Sequence, residues 1–301
     1  MIRAAENYVA VRRAGGFEVR KAEELLRSFA RFATARGETH VRSATAIDWA
    51  TLGTSVAQRD ERLKTVCRFA RFLQAEDSRH EVPPPNHFGY HKTRRPPYIY
   101  SPSEIARLMD AVVHIGITGS LEPQAYTMLV GLLATTGLRI REVLALRFSD
   151  VTSSGLLIRK AKFQKTRLAP LHDSTAAAIE RYLVLRRGVH ADREGIFITD
   201  DGRPLAYGTV RRNFRKMLMH AGLAPIAGRW PRIHDLRHTF AVRALEKCPE
   251  GRQRVGQHML ALATYMGHAN IVDTYWYLEA TPELLRDIAA AGEMHLCGGR
   301  R

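Results

Sequence analysis

Apolar residues over the first eighty positions recur at helical spacing. Leu25, Leu26, Phe29, Phe32 and Ala33 lie three and four apart, which predicts a helix over 17–36 stopped by Gly37. Leu63, Val66, Phe69, Ala70 and Leu73 predict a second helix over 57–76, and a shorter one is expected over 44–51. The string Phe-Ala-Arg-Phe occurs in both long helices, at 29–32 and 69–72. Its flanks do not match, so it reads as coincidence rather than as a repeat. Residues 1–80 read as a small all-helical bundle.

The pattern then changes. Glu81–Tyr100 contains Pro83, Pro84, Pro85, Pro96 and Pro97, together with His91, Lys92, Arg94 and Arg95. Proline removes the donor that a helix or an inner strand needs, so this segment reads as a basic, extended linker suited to phosphate contact. Helical spacing resumes at Ser101-Pro102-Ser103-Glu104, a capping box with proline at the first helical position. Helices are expected at about 102–113 and 122–136, and from about 140. The apolar run Ala125–Leu138 is too short to span a bilayer and predicts a buried helix. Leu156-Leu157-Ile158 and Arg167-Leu168-Ala169-Pro170-Leu171 flank a Lys-rich turn and predict a β-hairpin. Further helices are expected at about 173–187, 207–221, 235–246 and 257–266. The expected fold is mainly α with a small antiparallel β-sheet. It has an N-terminal helical domain at 1–82, a Pro-rich basic linker at 83–100 and a C-terminal α+β domain at 101–301.

Composition narrows the class. The chain has 301 residues, 45% of them hydrophobic and 25% charged, which excludes wholesale disorder, collagen and coiled-coil rods. Lys plus Arg number 46 against 30 Asp plus Glu, a net charge of +16. The surplus is spread over both halves, as expected of two modules that contact one long polyanion. Cys67, Cys248 and Cys297 are odd in number and widely spaced, so neither a disulfide framework nor a Cys-based zinc site is expected. A reducing cytosol fits that usage. The N-terminal MIRAAENYVAVRRAGG lacks the apolar stretch of a signal peptide, so a cytoplasmic location without membrane association is expected.

Candidate chemistry begins with exclusions. No G-x-x-x-x-G-K-[ST] and no H-E-x-x-H occurs. His234 and His238 lie four apart, but Asp235 follows His234 where a metalloprotease needs Glu, and no third ligand is evident. Neither a metal nor a cofactor is expected. Four cationic segments remain. In Thr136-Gly137-Leu138-Arg139-Ile140-Arg141-Glu142, Gly137 permits a helix break and displays Arg139 at the start of the next helix. That arginine suits a phosphate, but spacing alone favours a surface pair with Glu142. The hairpin turn carries Lys160, Lys162 and Lys165, which suit a nucleic-acid groove or plain solvation. His234 and Arg237 are three apart, which puts them on one helix face where they can grip and protonate one phosphate. The last segment, Tyr265-Met266-Gly267-His268 through Thr274-Tyr275-Trp276-Tyr277-Leu278, reads either as a site or as a core aromatic stripe.

The order of these segments is what identifies them. Gly-Leu-Arg, a Lys hairpin, His-x-x-Arg, Gly-His and a tyrosine nine residues later resembles the tyrosine recombinase (phage integrase) family over essentially the whole chain. Residues 102–292 look like its catalytic domain and 1–80 like its helical core-binding domain. Ile233-His234-Asp235-Leu236-Arg237-His238-Thr239-Phe240-Ala241 is especially close to the family pattern.

The resemblance implies a role for each matching position. Arg139 and Arg237 would clamp the non-bridging oxygens of the scissile phosphate, supported by Glu142. Lys162 would protonate the leaving 5′ oxygen; it lies five before Arg167 and eight before Pro170, as in the family hairpin, while Lys160 and Lys165 stay open. His234 would act as acid and base on the attacking tyrosine, and His268 would hydrogen-bond the phosphate. Tyr277 would be the nucleophile. Tyr275, two residues earlier, faces away from it on a helix, so both cannot attack one phosphate. Tyr265 is expected as a core aromatic, and Met266 stands where the family usually has Leu.

The implied activity is site-specific recombination of double-stranded DNA through a 3′-phosphotyrosine and a Holliday junction, with integrase or mobile-element character. Both domains would clamp the duplex. Lys92, Arg94, Arg95, Lys160 and Lys165 would be further DNA contacts. The chain would work as a homotetramer on DNA, and as a monomer or dimer off it. A tail helix over 284–293, capped by Thr281-Pro282-Glu283, would dock within its own chain or on a neighbour. Two other readings stay open: a type IB topoisomerase-like relaxing enzyme using the same residues, and a non-catalytic DNA-binding accessory factor of the same fold.

Overall fold

The computed structural model describes residues 1–17, 19–90, 95–116, 119–159, 166–189, 194–247, 252–267 and 274. The chain folds as two compact units, Met1–Arg95 and Pro96–Arg301.

The first unit is helical: α1 (Ile2–Ala14), α2 (Arg20–Ala35), α3 (Ser43–Thr51) and α4 (Val56–Gln74). Helix α1 has no counterpart in the periodicity reading. It buries Ala5, Tyr8 and Val9 against the common core, with Tyr8 edge-on to Phe69 and Phe72. Both Phe-Ala-Arg-Phe strings point the same way. Phe29, Ala30, Phe69 and Ala70 are buried, while Phe32 and Phe72 pack at the core's edge. Helical spacing dictates this, because i and i+1 share the inward face while i+2 turns outward. Val82 and Phe88 pack against the same core, and the Cys67 thiol donates to the Pro83 carbonyl at 3.2 Å.

The second unit is built around α6 (Leu121–Thr136). It is preceded by α5 (Pro102–Asp110) and a 3-10 turn over Ala111–His114. The Ser101/Glu104 capping box is present in full. Helix α6 is apolar and buried over most of its length, with only Gln124 and Thr135 exposed, as so apolar a helix must be in water. A short α7 (Ile140–Leu144) follows, and then the three-stranded antiparallel sheet β1 (Val151–Thr152), β2 (Gly155–Ile158) and β3 (Arg167–Ala169). The β2–β3 register pairs Leu156 with Ala169 and Ile158 with Arg167, so the expected hairpin forms. Beyond it lie α8 (Asp173–Arg187), α9 (Tyr207–His220), α10 (Asp235–Glu246) and α11 (Arg252–Met266). Helix α6 packs against α5, α8 and α10, and thereby carries both α7 and α10. Among the described residues no helix is long and apolar enough to cross a membrane.

Candidate active site

The site grows from the two ends of buried helices. Helix α6 ends at Gly137, whose φ of 60° is left-handed and whose N–H reaches the Leu133 carbonyl at 3.1 Å. A Cβ here would lie 2.4 Å from Phe240 on α10. Glycine therefore serves twice, turning the chain and letting α10 approach. Two residues on, Arg139 sits at the N-terminus of α7. Its backbone N–H and its Nη1 both donate to the Glu142 carboxylate at 2.9 Å. The pairing expected from spacing is present, and Glu142 holds more than one partner. Arg167 of β3 meets the same carboxylate with two parallel bonds, Nη1 to Oε1 at 3.0 Å and Nη2 to Oε2 at 2.9 Å.

Helix α11 supplies the other half. A helix ends in carbonyls that lack a partner and carry partial negative charge. Here three in succession are taken by arginines. Arg167 Nε donates to the Tyr265 carbonyl at 3.0 Å, Arg237 Nη2 to Met266 at 2.8 Å and Arg139 Nη2 to Gly267 at 3.1 Å. Arg237 Nη1 also donates to the Gly137 carbonyl at 2.7 Å, closing the ring between α6, α10 and α11. Gly267 has a φ of 65°, and a Cβ there would lie 2.9 Å from Arg167 Nη1. Three guanidinium groups thus converge on the end of α11 and two of them bond the Glu142 carboxylate, an excess of two positive charges among these four side chains. Burial alone would raise the Glu142 carboxyl, but the hydrogen bonds from Arg167 and from the Arg139 backbone outweigh it and hold the group below its usual range.

His234 stands at the entrance to α10 in helical conformation, accessible to solvent. Crowding of the ring by protein, then the charges of Arg237 and Arg232, push its pKa down to about 4. At neutral pH the imidazole is uncharged and can accept a proton. Its neighbour Asp235 is fully buried and takes the Arg232 backbone N–H at 2.8 Å, Nε at 3.0 Å and Nη2 at 2.6 Å. Thr239 bridges the Asp235 carbonyl and the Tyr100 N–H at 2.9 and 3.0 Å, so the turn that bears His234 is tied to the start of the unit.

Two pairs far apart in sequence, Arg139 with Glu142 and His234 with Arg237, are therefore neighbours. Tyr265, expected as a core aromatic, stacks on Phe240 at 5.6 Å and is partly buried. Arg95 is half-buried. Lys92, Arg94, Lys160, Lys162, Lys165, His268, Tyr275, Tyr277 and the tail over 281–301 lie outside the described residues.

Two features escape the sequence reading. One is the place of Arg167 beside Glu142. The other is a basic stripe on α9: Arg211, Arg212, Arg215 and Lys216 are exposed, opposite buried Val210, Phe214, Met217 and Leu218. Its i, i+1, i+4, i+5 spacing could have revealed it.

One group of metal-capable side chains occurs among the described residues, His40, Asp77 and His80 in the first unit. Its donors are already engaged. Val41 N–H donates to His80 Nδ1 at 3.0 Å, which puts the ring proton on Nε2, and the Arg79 guanidinium grips Asp77 at 2.8 Å. These residues do not fit a metal site.

The chain is similar to known proteins over most of its length. Residues 100–283 match the phage integrase family. A Sinorhizobium fredii protein described as the integrase/recombinase y4rB is 35% identical over 296 residues, covering 94% of each chain. The structure of the XerH site-specific recombinase bound to its difH substrate superposes with a TM-score of 0.65 at 17% identity, over 89% of this chain and 78% of that one. A lambda integrase tetramer bound to a Holliday junction gives a TM-score of 0.58 at 19% identity, over 89% and 77%. Those likenesses concern the fold, and the match over residues 100–283, with a full-length relative at 35% identity, settles the assignment: the chain belongs to the phage integrase family of tyrosine recombinases, enzymes of site-specific DNA recombination.

Proposed function

We propose that this site cleaves and rejoins a DNA phosphodiester through a covalent phosphotyrosine, with Tyr277 as nucleophile. The observation that carries the proposal is the convergence of Arg139, Arg167 and Arg237 on the end of α11, one residue before His268, with uncharged His234 beside them. A phosphodiester carries one negative charge, and its five-coordinate transition state gathers a second on the equatorial oxygens. An excess of two positive charges matches the transition state better than the ground state, which is the condition for catalysis.

In the proposed reaction the Tyr277 oxygen attacks phosphorus and passes its proton to His234. The P–O bond to the 5′ oxygen breaks as the 3′-phosphotyrosyl bond forms, and Lys162 protonates the departing oxygen. Arg139 and Arg237 hold the non-bridging oxygens, with His268 as a further donor. Religation runs the same steps backwards, so the bond energy is conserved and no nucleotide is consumed.

Residues 1–82 would act as a DNA-binding bundle, 83–100 as a basic linker and 101–301 as the catalytic domain. The α9 stripe and Arg95 would contact phosphates. Four copies would assemble on two DNA sites and exchange strands through a Holliday junction, a reading supported by the lambda integrase tetramer on such a junction. Off DNA the chain would be a monomer or dimer, and a cytoplasmic setting fits.

The test is covalent capture. Nicked suicide duplexes drawn from the flanks of the gene would be mixed with the protein and with Tyr277→Phe. An SDS-resistant adduct with the first alone is expected. An adduct that persists in Tyr277→Phe would remove Tyr277 from its role.

A further inference from the structure

We propose that Arg167 is a positioning residue for strand cleavage: through the Glu142 carboxylate it orients Arg139, and through the Tyr265 carbonyl it fixes the end of α11. The inference rests on the cleavage reaction proposed above.

The strand itself draws attention to this residue. Successive side chains of a strand point to opposite faces. On β3 the inward positions are Arg167 and Ala169, and the outward one is Leu168, which is 43% exposed. A strand selected only for packing would place the leucine inside and the arginine outside. The inversion is explained by what Arg167 touches. Three of its N–H groups are used, two on Glu142 and one on the Tyr265 carbonyl, from a side chain that is 13% exposed.

Glu142 is the shared element. It takes the Arg139 Nη1 and the Arg139 backbone N–H, and with the same two oxygens it takes the Arg167 fork. Arg167 thus completes a carboxylate that already sets the Arg139 side chain. The charged groups facing Glu142 are Arg139 on its own turn and Arg167 on β3. Arg167 and Arg237 of α10 both face the Tyr265 phenol of α11. The end of α11 leads directly into His268, so one guanidinium ties together the support of Arg139 and the approach to the downstream residues. It also joins them to the hairpin that bears Lys162. Lysine cannot reproduce this, because one ammonium does not form a planar fork and reach a third acceptor together.

Single-turnover cleavage of a nicked suicide duplex, measured against pH, tests the proposal in the full-length protein. Arg167→Gln is expected to slow cleavage on the order of 10²-fold, the effect of a small misplacement of a reacting group. DNA affinity should fall far less than the cleavage rate. Without Arg167, Glu142 protonates more readily, so the acid limb of the profile should move to higher pH. In the Glu142→Gln/Arg167→Gln double variant that movement should vanish, because the titrating group is gone. Arg167→Lys should keep the wild-type acid limb with a reduced rate. It carries the test should the glutamine variant fail to fold.

A wild-type rate in either single variant would overturn the proposal. So would a slowed Arg167→Gln whose acid limb has not moved. The wild-type arm separates the two ideas. An adduct from wild type with an unaffected Arg167→Gln sinks the positioning role alone, whereas no wild-type adduct sinks the cleavage reading and this inference with it.

Discussion

Two sets of arginines, the surface pairs of the first unit and the group at the end of α11 in the second, are used in opposite ways. In the first, arginines pair one to one or two to one with carboxylates at the surface. Arg42 with Glu81 and Arg79 with Asp77 are 51% and 72% exposed. In the second, the arginines at the end of α11 are drawn inward, Arg167 to 13% and Arg237 to 2%; Arg237 bonds the Gly137 and Met266 carbonyls, and Arg167 adds the Tyr265 carbonyl to its fork on Glu142. Carbonyls satisfy a guanidinium geometrically without cancelling its charge. The first arrangement neutralises charge and adds little stability. The second stores positive potential where a phosphate can use it.

The largest break in this contrast should come from Arg237. Arg237→Ala is expected to lower cleavage on the order of 10³-fold, the scale of losing a fixed donor to developing charge. Single-turnover cleavage beside a secondary-structure check would measure it. Arg237→Lys should recover only part of the loss, since a lysine cannot span the Gly137 and Met266 carbonyls.

Glycine sharpens the comparison next. Gly137 and Gly89 share nearly the same left-handed φ, 60° and 58°. Around Gly137 the Phe240 ring leaves no room for a Cβ, whereas nothing lies within 4 Å of one at Gly89. Gly137→Ala should cost about 3 kcal/mol through strain and overpacking together. Gly89→Ala should cost only the conformational part, about 1 kcal/mol. Chemical denaturation of the two variants would read the difference.

Acid should act on the second unit through His234. Its folded pKa, about 4, lies below its ordinary value of 6.5. The unfolded chain therefore binds the proton more readily. The stability contributed by neutral His234 is present above pH 6.5 and declines as pH falls toward 4. His234→Gln should flatten that part of the stability curve in pH-dependent denaturation. The smallest effect is expected at the surface pairs of the first unit. Arg36→Ala, which removes a 2.8 Å pair with Asp48, should change stability by no more than about 1 kcal/mol and leave cleavage untouched.

The sequence was legible wherever the signal is local. The Ser101/Glu104 capping box, the break at Gly137 and the β2–β3 hairpin each rest on neighbouring residues, and each forms as read. Helix α6 was legible because a long apolar run must be buried. Boundaries were less so. The helix expected from about 140 ends at Leu144, and the one expected at 257 begins at Arg252. Helix α1 was missed because it buries just Ala5, Tyr8 and Val9, too few to set a period. Within the site, the Arg139–Glu142 pair is three residues apart and therefore visible. Arg167 is 25 residues from Glu142 and 98 from Tyr265, so only the fold reveals what it joins. The one local hint, an inward arginine beside an outward leucine, has meaning only once the strand's faces are known.

The most direct measurement is the identity of the residue bound to DNA. Protein trapped on a nicked suicide duplex would be digested with protease and nuclease, and the modified peptide sequenced by mass spectrometry. The account predicts a nucleotide on the Tyr277 oxygen and on no other residue. A nucleotide on Tyr275, or on a residue remote from the end of α11, would contradict it.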